Sequence, residues 1–431
     1  MRSVVFQTAT ESVHFKSHAR KGSESHSDCS DGVVETTLML DWASAVRRPT
    51  QYRVNKPGVF VGNWNARSLI RFMCLTMVVL LTLFFLLLFT FWSDRDCYCG
   101  EDHYSYSGLR YKYNSTYPLT EPSRDKAGTI VYNIVIITDL DHASKSESAK
   151  NTWFSYMRYG QLELAHDHKS VKISWSNRTH EIKSGLAQGG RSMELSDLKV
   201  FDGHLLSVDD RTGIVYRIEN EKHVVPWVLL VDGPGNETKG FKGEWMTVKD
   251  NHLYVGGLGK EWTTVQGVLQ NFNPMWIKVV SPTGQVKHVD WTQVYIDIRA
   301  AAGIHYPGYM IHESAQWSSH HKRWFFLPRR ASKDTYTEEA DERRGTNYML
   351  ISNDALTSIE VRRIGKVIPT RGFSAFQFIP YTNDQLIVAL KSEEDAGTIA
   401  SYITVFDLDG NIILEDQKLE GKFKFEGIEF V

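Results

Sequence analysis

The stretch that decides the fold is SDLKVFDGHLLSVDDRTG, residues 196–213, which reads as a β-strand, a polar turn, a second strand and a polar cluster. The same plan occurs three more times, as EWMTVKDNHLYVGGLGKEW (244–262), ESAQWSSHHKRWFFLPRR (313–330) and SAFQFIPYTNDQLIVALKSEE (374–394). A fifth unit begins with EGIEFV (426–431) and lacks its second strand. The five units begin 48, 69, 61 and 52 residues apart, as expected for four-stranded β-propeller blades with loop insertions.

The strand missing from the fifth unit has a donor near the other end of the domain. Residues 129–142, TIVYNIVIITDLDH, form an apolar strand pattern that ends in Asp139 and Asp141. Pairing this strand with the last unit closes the ring and leaves no free sheet edge. The sequence therefore predicts an all-β propeller over residues 128–431. A β-sandwich, the alternative, gives no reason for a C-terminal half-unit completed from the N-terminal side.

The repeat predicts where polar side chains gather. If the first strand of each unit lines the central channel, the residues that begin these strands converge near the axis. Each second strand runs antiparallel and returns to the same end, so the polar clusters lie around them. The starting residues are Ser196, Glu244, Glu313, Ser374 and Glu426, and the clusters are Asp139/Asp141, Asp209/Asp210/Arg211, Lys260/Glu261, Arg329/Arg330 and Lys391/Glu393.

The chemistry of this channel mouth favours a hard cation. Three glutamates that converge on an axis raise one another's pKa unless a cation is present. Oxygen donors without cysteine, in a flexible ring, suit Ca²⁺ better than Mg²⁺. The basic groups Arg211, Lys260, Arg329 and Arg330 are candidates to hold phosphates, and Asp139, Asp210 and Glu261 are candidates to position or deprotonate a water. This inventory fits a metal-assisted phosphoanhydride hydrolase.

Other motifs in the sequence are incomplete or fit the repeat better. His312-Glu313 begins like a zinc-protease motif, but Gln316 stands where the second histidine is required. The glycines before Lys260 resemble part of a P-loop, yet Glu261 replaces the required Ser or Thr. Most tryptophans are expected to pack between blades, with Trp262 as the candidate to stack on a base. A non-catalytic propeller with a structural ion, which binds a glycan or a partner protein, is the alternative function.

The N-terminal third carries a different signal. Residues 72–92, FMCLTMVVLLTLFFLLLFTFW, contain no charge and are long enough to predict one transmembrane helix. Six basic residues and no acid lie between Val46 and Arg71, and acids dominate after the helix, which predicts a cytoplasmic N-terminus. The glycosylation sequons at Asn114, Asn177 and Asn236 all follow the helix, in agreement with this type II orientation.

The remaining organisation follows from composition. Residues 1–71 are rich in Ser, His and Arg and read as a mostly disordered cytoplasmic tail, and residues 93–127 read as a lumenal stem. The four cysteines all lie before residue 100, so neither a disulfide scaffold nor a cysteine-ligated zinc site is expected in the folded domain. The net charge of −2 gives no sign of a nucleic-acid partner.

Long motifs in the lumenal part resemble the calcium-activated nucleotidases of the apyrase family, over about residues 115–431. They are TDLD (138–141), NTWFSYM (151–157), MELSDL (193–198), SVDDRTG (207–213), YVGGLGKEWTT (254–264), IHESAQW (311–317), RWFFLPRRAS (323–332), VALKSEED (388–395) and FEGIEF (425–430). The resemblance implies a five-bladed propeller with a central Ca²⁺ and hydrolysis of nucleoside di- and triphosphates, with UDP and GDP preferred and ATP a poor substrate.

The resemblance also implies roles for particular residues. It places the ion site on Ser196, Asp197, Glu244, Glu313, Ser374 and Glu426, which agrees with the ring deduced from the repeat. It associates Asp139, Asp210, Glu261 and Arg329 with activity, without identifying the general base. It further implies a type II protein of the Golgi and endoplasmic reticulum that supports glycosylation and proteoglycan synthesis. It also implies a calcium-linked homodimer. Secretion of the domain would require cleavage in the stem, and the sequence leaves open whether that cleavage occurs.

Overall fold

The structure, a computed structural model, describes residues 66–93 and 111–431 of the 431-residue chain. The predicted cytoplasmic tail up to residue 65, and residues 94–110 of the predicted stem, lie outside the described residues. Helix α1, Ala66–Ser93, contains the apolar run predicted at 72–92. The side chains of Phe72 and of residues 86–92 are not among those described. Within the described residues, no helix is both long enough and apolar enough to cross a membrane.

Residues 111–431 belong to one compact unit, which is built almost entirely of antiparallel strands. In chain order they are β1 (Ser123–Arg124), β2 (Ile130–Asp139), β3 (Trp153–Leu164), β4 (Val171–Ser184), β5 (Leu195–Phe201), β6 (His204–Asp209), β7 (Ile214–Glu219), β8 (His223–Leu229), β9 (Trp245–Lys249), β10 (His252–Gly256), β11 (Trp262–Thr263), β12 (Leu269–Asn271), β13 (Trp276–Val280), β14 (Val286–Asp290), β15 (Tyr309–Ser318), β16 (Arg323–Ser332), β17 (Tyr348–Asn353), β18 (Ile359–Arg363), β19 (Arg371–Phe378), β20 (Leu386–Asp395), β21 (Thr398–Asp407), β22 (Ile412–Lys418) and β23 (Lys424–Phe430). Short helices α2 (Thr292–Ala301) and α3 (Glu338–Asp341) and 3-10 turns at Asp141–Ser144 and Asn273–Met275 complete the elements.

These strands form five blades of a β-propeller. From the innermost strand outward the blades are β5-β6-β7-β8, β9-β10-β13-β14, β15-β16-β17-β18, β19-β20-β21-β22 and β23-β2-β3-β4. The strands β11 and β12 form a separate hairpin, and β1 pairs with β2. The prediction of an all-β propeller is confirmed, and the β-sandwich alternative is wrong.

The ring closes as the sequence predicted. Strand β23 pairs antiparallel with β2, from Ile134 opposite Phe430 to Asp139 opposite Lys424. The last blade therefore takes its inner strand from the C-terminus and its other strands from the N-terminal side of the domain. Closure places the polar end of β2 beside the last inner strand, and this position brings Asp139 to the channel mouth.

Apolar clusters fill the spaces between neighbouring blades. One cluster lies between the second and third blades and holds four tryptophans with their rings in contact, Trp245, Trp291, Trp317 and Trp324. The expectation that most tryptophans pack in the core is confirmed. The five inner strands contact one another in the order β5, β9, β15, β19, β23 and back to β5, so they surround the axis.

Part of the predicted stem lies on the propeller. The Tyr111 hydroxyl and the Asn114 backbone N–H both donate hydrogen bonds to the Asp202 carboxylate. The Thr120 hydroxyl donates to the Val431 carbonyl over 2.7 Å, and the Tyr117 hydroxyl donates to Glu429 over 2.9 Å. Residues 111–124 thus pack against the far end of the inner strands, opposite to the end that carries Asp139.

Candidate active site at the channel mouth

Five buried side chains, one from each inner strand or from the residue before it, gather at one end of the channel. They are the starting residues predicted from the repeat, Ser196, Glu244, Glu313, Ser374 and Glu426, and we call them the first ring. The prediction that each begins its strand is wrong for Glu313 and Ser374, because β15 and β19 begin earlier, at Tyr309 and Arg371. The pairing register of the inner strands shifts at Ser196, between His312 and Ala315, at Ser374 and at Glu426. These β-bulges insert an unpaired residue and turn its side chain away from the regular alternation. In four of the five blades, then, a local distortion aims the first-ring side chain.

Ion pairs link the three first-ring glutamates with neighbouring charged side chains in a series, which we call the ion-pair chain. It contains eight carboxylates and five basic groups, each within salt-bridge distance of the next except at one point. The carboxylates are Asp139, Asp141, Glu194, Asp210, Glu244, Glu313, Glu394 and Glu426, and the basic groups are Arg191, Arg211, Lys242, Arg329 and Lys424. With every group ionised, this chain carries three more negative than positive charges.

The one break in the chain lies between Glu244 and Glu313. Lys242 contacts Glu244 at 2.7 Å, and Arg329 contacts Glu313 at 2.6 Å. Among the described residues, no basic group is within salt-bridge distance of both glutamates. The charge of Glu313 acts on Glu244 across this gap. Two interacting buried carboxylates in a cluster with excess negative charge favour a cation near them.

Burial and the neighbouring charges also set the pKa values of the first-ring glutamates. Burial raises the pKa of Glu244; Lys242 opposes this rise, and Glu313 and Asp210 add to it. Burial also raises the pKa of Glu426 well above its usual range against the effect of Lys424, with Asp139 adding to the rise. The folded chain therefore holds these glutamates where the ionised form is costly, and a bound cation relieves that cost.

An orphaned hydroxyl tests whether a cation fits this ring. Ser196 Oγ is buried and has no hydrogen-bond partner among the described residues. A buried hydroxyl without a partner costs about 1–3 kcal/mol. Ser374, its counterpart in the fourth blade, donates to the Phe425 carbonyl over 3.0 Å. Carboxylate and hydroxyl oxygens at equivalent positions are donors that Ca²⁺ accepts, so the residues present fit such an ion.

A second acidic group lies beside the first ring. Oxygens of Asp139, Asp141 and Glu194 lie within 4.8 Å of one another, close enough to share a metal ion. Lys424 Nζ contacts Asp139 at 2.7 Å and Asp141 at 2.8 Å, and Arg191 holds Glu194 through two short hydrogen bonds. Lys424 thus bridges Asp139 and Asp141, and Arg191 bridges Asp141 and Glu194, whereas no basic group among the described residues bridges Glu244 and Glu313.

The four predicted catalytic residues do not have equal surroundings. Asp139 accepts the Asp141 backbone N–H, and Asp210 contacts Lys242. Asp210 Oδ1 is buried and accepts no hydrogen bond from the described residues, although Arg211 Nε lies 3.4 Å away. Arg329 Nη1 donates to both oxygens of Glu313 over 2.7 and 2.6 Å and also contacts Glu426. These three side chains belong to the ion-pair chain.

Glu261 lies apart from that chain. Its two oxygens accept hydrogen bonds of 2.6 and 2.7 Å from Arg299, which helix α2 supplies, and both side chains are buried. Burial alone raises the pKa of Glu261, but the hydrogen bonds from Arg299 outweigh it and lower the pKa. A carboxylate paired in this way is a poor proton acceptor. The structure shows Glu261 as an anchor of its loop.

The predicted substrate-binding residues divide in the same way. Arg211 lies in the ion-pair chain, and its Nε donates to Glu194 over 2.7 Å. Lys260 Nζ donates to the Glu261 carbonyl and lies 4.2 Å from the centre of the Tyr336 ring. Burial lowers the pKa of Lys260 to about 8. Arg330 donates to the Thr370 carbonyl and lies near Asp341, without an ion pair to a first-ring residue among the described residues.

Trp262 and Asp197 occupy contrasting positions. Trp262 is half-buried, and Lys239 Nζ lies 4.3 Å from the centre of its ring, in a cation–π contact. Asp197 is buried below the mouth, where its two oxygens accept the backbone N–H groups of Leu198 and Met246 over 2.8 and 2.7 Å. It thereby joins β5 to β9. The predicted glycosylation residues Asn114, Asn177 and Asn236 are exposed.

Sequence reasoning missed several members of the site. Lys242 and Lys424 each stand two residues before a first-ring glutamate, as Lys242-Gly-Glu244 and Lys424-Phe-Glu426, and this shared spacing was a usable signal. In the fourth blade Glu394, not the expected Glu393, contacts Arg329. Glu393 instead accepts hydrogen bonds from the Thr370 and Tyr402 hydroxyls, and Lys391 pairs with Asp416. Glu194, Arg191 and Arg299 carried no repeat signal.

A closed five-bladed propeller with buried acids and bases at one mouth is suited to hold a cation and an anionic ligand together. The family model described as apyrase matches residues 140–431. Soluble calcium-activated nucleotidase 1 of Rattus norvegicus is 54% identical over 320 residues, which cover 74% of this chain and 78% of that protein. Apyrase apy-1 of Caenorhabditis elegans is 55% identical over 306 residues, with 70% and 85% covered.

A more distant relative, apyrase of Cimex lectularius, is 42% identical over 320 residues, which cover 74% of this chain and 87% of that protein. Among solved structures, a virginiamycin B lyase from Staphylococcus aureus covers 72% of this chain and 94% of its own, with 9% identity and a TM-score of 0.28, too low to bear on the fold. The chain belongs to the apyrase family and is an enzyme, a nucleotidase.

Proposed function

We propose that the protein hydrolyses nucleoside diphosphates, UDP and GDP before others, to the monophosphate and phosphate in a Ca²⁺-dependent reaction. The observation that carries the proposal is the gap in the ion-pair chain between Glu244 and Glu313. Membership of the apyrase family supports the reaction class, and the names of the rodent relatives, calcium-activated nucleotidase, support the ion.

The first ring would hold the ion through Ser196, Glu244, Glu313, Ser374 and Glu426, with Asp197 fixing the strands below it. When bound, Ca²⁺ supplies positive charge that polarises the phosphate oxygens of the substrate. Lys242 and Arg329 contact the carboxylates of this ring, so they lie where a diphosphate at the mouth carries its negative charge. Such preplaced cations stabilise the charge that develops as the phosphoanhydride breaks.

Among the acids, we propose Asp210 as the group that aligns and deprotonates the attacking water. Its Oδ1 accepts no hydrogen bond within the described part of the chain and is buried at the mouth. Both Glu261 oxygens are occupied by Arg299, and Asp139 is held by Lys424 and the Asp141 N–H. Asp210→Asn should therefore reduce the rate of hydrolysis far more than Asp139→Asn, with little change in calcium affinity.

The base and ribose of the substrate would lie toward the second blade. Trp262, which Lys239 already contacts by a cation–π interaction, offers an aromatic face to a nucleobase. Burial lowers the pKa of Lys260 to about 8, and its Nζ contacts no carboxylate among the described residues, so we propose that it binds a phosphate of the substrate.

We also propose that residues 72–92 anchor the protein as a type II membrane protein of the Golgi and endoplasmic reticulum, with the propeller in the lumen. The charge asymmetry around the apolar run and the three exposed sequons after it support this orientation. Hydrolysis of UDP left by glycosyltransferases would then favour glycan and proteoglycan synthesis.

Phosphate release from UDP, GDP, ADP and ATP by the purified full chain tests the proposal, with Ca²⁺, with Mg²⁺ and with chelator. Calcium-dependent release from UDP and GDP, and little from ATP, is the expected result. If no nucleotide releases phosphate but calcium still raises the melting temperature, the ion is structural and the proposed activity is wrong. Equal activity with Mg²⁺ would contradict the assignment of Ca²⁺ alone.

A further inference from the structure

A second polar ring lies in the channel below the first ring. Its members stand three residues after the first-ring positions, one on each inner strand, and at about 3.3 Å per residue they lie roughly 10 Å further along the strands. We call them the second ring: Lys199, Thr247, Gln316, Gln377 and Glu429. All five side chains are buried.

The Lys199 ammonium occupies the middle of this ring. Its Nζ donates to Gln316 Oε1 over 2.9 Å and to Gln377 Oε1 over 2.5 Å, and it lies 3.5 Å from Glu429 Oε2. Two amide oxygens and one carboxylate oxygen around a positive charge are the donor types of a hard-cation site. The lysine of β5 thus stands where a metal ion in such a ring would bind.

The other members are tied to one another and to neighbouring strands. Thr247 Oγ1 donates to Gln316 Oε1 over 3.0 Å and accepts the Trp317 N–H. Gln316 Nε2 donates to carbonyls of the second and fourth blades, and Gln377 Nε2 donates to the Leu198 carbonyl. Together with the contacts of Lys199, these bonds link all five inner strands across the channel.

The charges of the second ring balance within it. Lys199 and Glu429 are its one base and its one acid, and Glu429 also accepts hydrogen bonds from the Val200 N–H and from Tyr117. The first ring, in contrast, has three glutamates. If a neutral side chain replaced Lys199, the second ring would offer a buried carboxylate and three further oxygens to any cation that entered from the mouth.

We propose that Lys199 is the residue that limits the channel to a single divalent cation: its ammonium takes the place of a second ion and confines calcium to the first ring. The inference rests on the proposed calcium site and extends it to ion stoichiometry. It assigns a specificity-determining role to a residue whose side chain contacts Gln316, Gln377 and Glu429 of the second ring.

Calcium stoichiometry tests this role, with ⁴⁵Ca²⁺ in equilibrium dialysis of the full chain as the probe. We expect Lys199→Met and Lys199→Gln to bind one more ion per chain than the wild type. The double variant Lys199→Met/Glu429→Gln should return to the wild-type number, because the carboxylate that attracts the second ion is gone. Lys199→Gln keeps a hydrogen-bonding amide, so it serves if Lys199→Met does not fold, as judged by near-ultraviolet circular dichroism.

Two different failures can be told apart. A folded Lys199→Met or Lys199→Gln protein that binds the same number of ions as the wild type overturns the role of Lys199 and leaves the first-ring site intact. If the wild type itself binds no calcium, or if Glu244→Gln and Glu313→Gln bind as many ions as the wild type, the proposed calcium site is wrong.

Discussion

The first and second rings lie three residues apart along the five inner strands, and they differ in how many of their polar groups have partners. In the first ring Ser196 Oγ has no hydrogen-bond partner among the described residues, and the pKa values of Glu244 and Glu426 are raised. In the second ring Lys199, Thr247, Gln316, Gln377 and Glu429 all have hydrogen-bonded or charged partners. The unpartnered hydroxyl and the raised glutamate pKa values mark the first ring as the ligand site, and the fully partnered second ring as the structure that supports it.

The largest expected effect comes from breaking the first ring. Glu313→Gln removes one carboxylate at the gap and should lower calcium-dependent phosphate release about 1,000-fold, close to 4 kcal/mol in transition-state stabilisation. The fold should survive because the amide keeps the size of the side chain. The matched control is Glu360→Gln, on an outer strand, whose exposed side chain pairs with Arg362. Unchanged activity in Glu313→Gln would remove the first ring from the reaction.

A buried ion pair outside both rings comes next. Arg299→Met leaves Glu261 with an unpaired buried carboxylate, which should destabilise the domain by about 3 kcal/mol in urea unfolding. The double variant Arg299→Met/Glu261→Met should recover most of that loss, since no charge is left behind. If instead Glu261→Gln lowers the rate of hydrolysis with no loss of stability, Glu261 acts in the chemistry and is more than an anchor.

A second buried lysine sharpens the comparison with Lys199. Lys278 Nζ contacts the Gly233 carbonyl and lies 2.9 Å from His288 Nδ1, without a carboxylate in direct contact in the described part of the chain. Burial lowers the pKa of Lys278 to about 8, and Asp232 opposes that shift. The unfolded chain therefore binds the proton more tightly than the folded chain between pH 8 and about 10.4.

Stability should consequently rise with pH through that window, by up to about 1.4 kcal/mol per pH unit for this one group, and Lys278→Met should reduce the slope. Urea unfolding at pH 7, 8, 9 and 10 measures it, with the exposed Lys366→Met as the control. A slope that Lys278→Met leaves unchanged would show that the ammonium is well solvated in the folded protein.

The repeat explains how far the sequence could lead. The sequence predicted Ser196, Glu244, Glu313, Ser374 and Glu426 because they occupy the same place in each repeated unit, and the closing pair β2–β23 followed from a missing strand. The bulges that aim these side chains are not visible in a period-two pattern. The partners of Glu261 and Glu426 could not be inferred, because Arg299 comes from a helix without counterpart in other blades and Arg329 reaches across from the third.

The smallest expected effect lies where the N-terminal segment meets the second ring. Tyr117→Phe removes the hydroxyl that donates to Glu429 Oε1, while the Phe430 N–H still donates to that oxygen over 2.8 Å. Because one of two donors remains, we expect a loss of about 1 kcal/mol in urea unfolding and no change in calcium stoichiometry or activity. A change in calcium binding would instead mean that the segment before β1 acts on the first ring through Glu429 and Lys199, and that the two rings form one coupled unit.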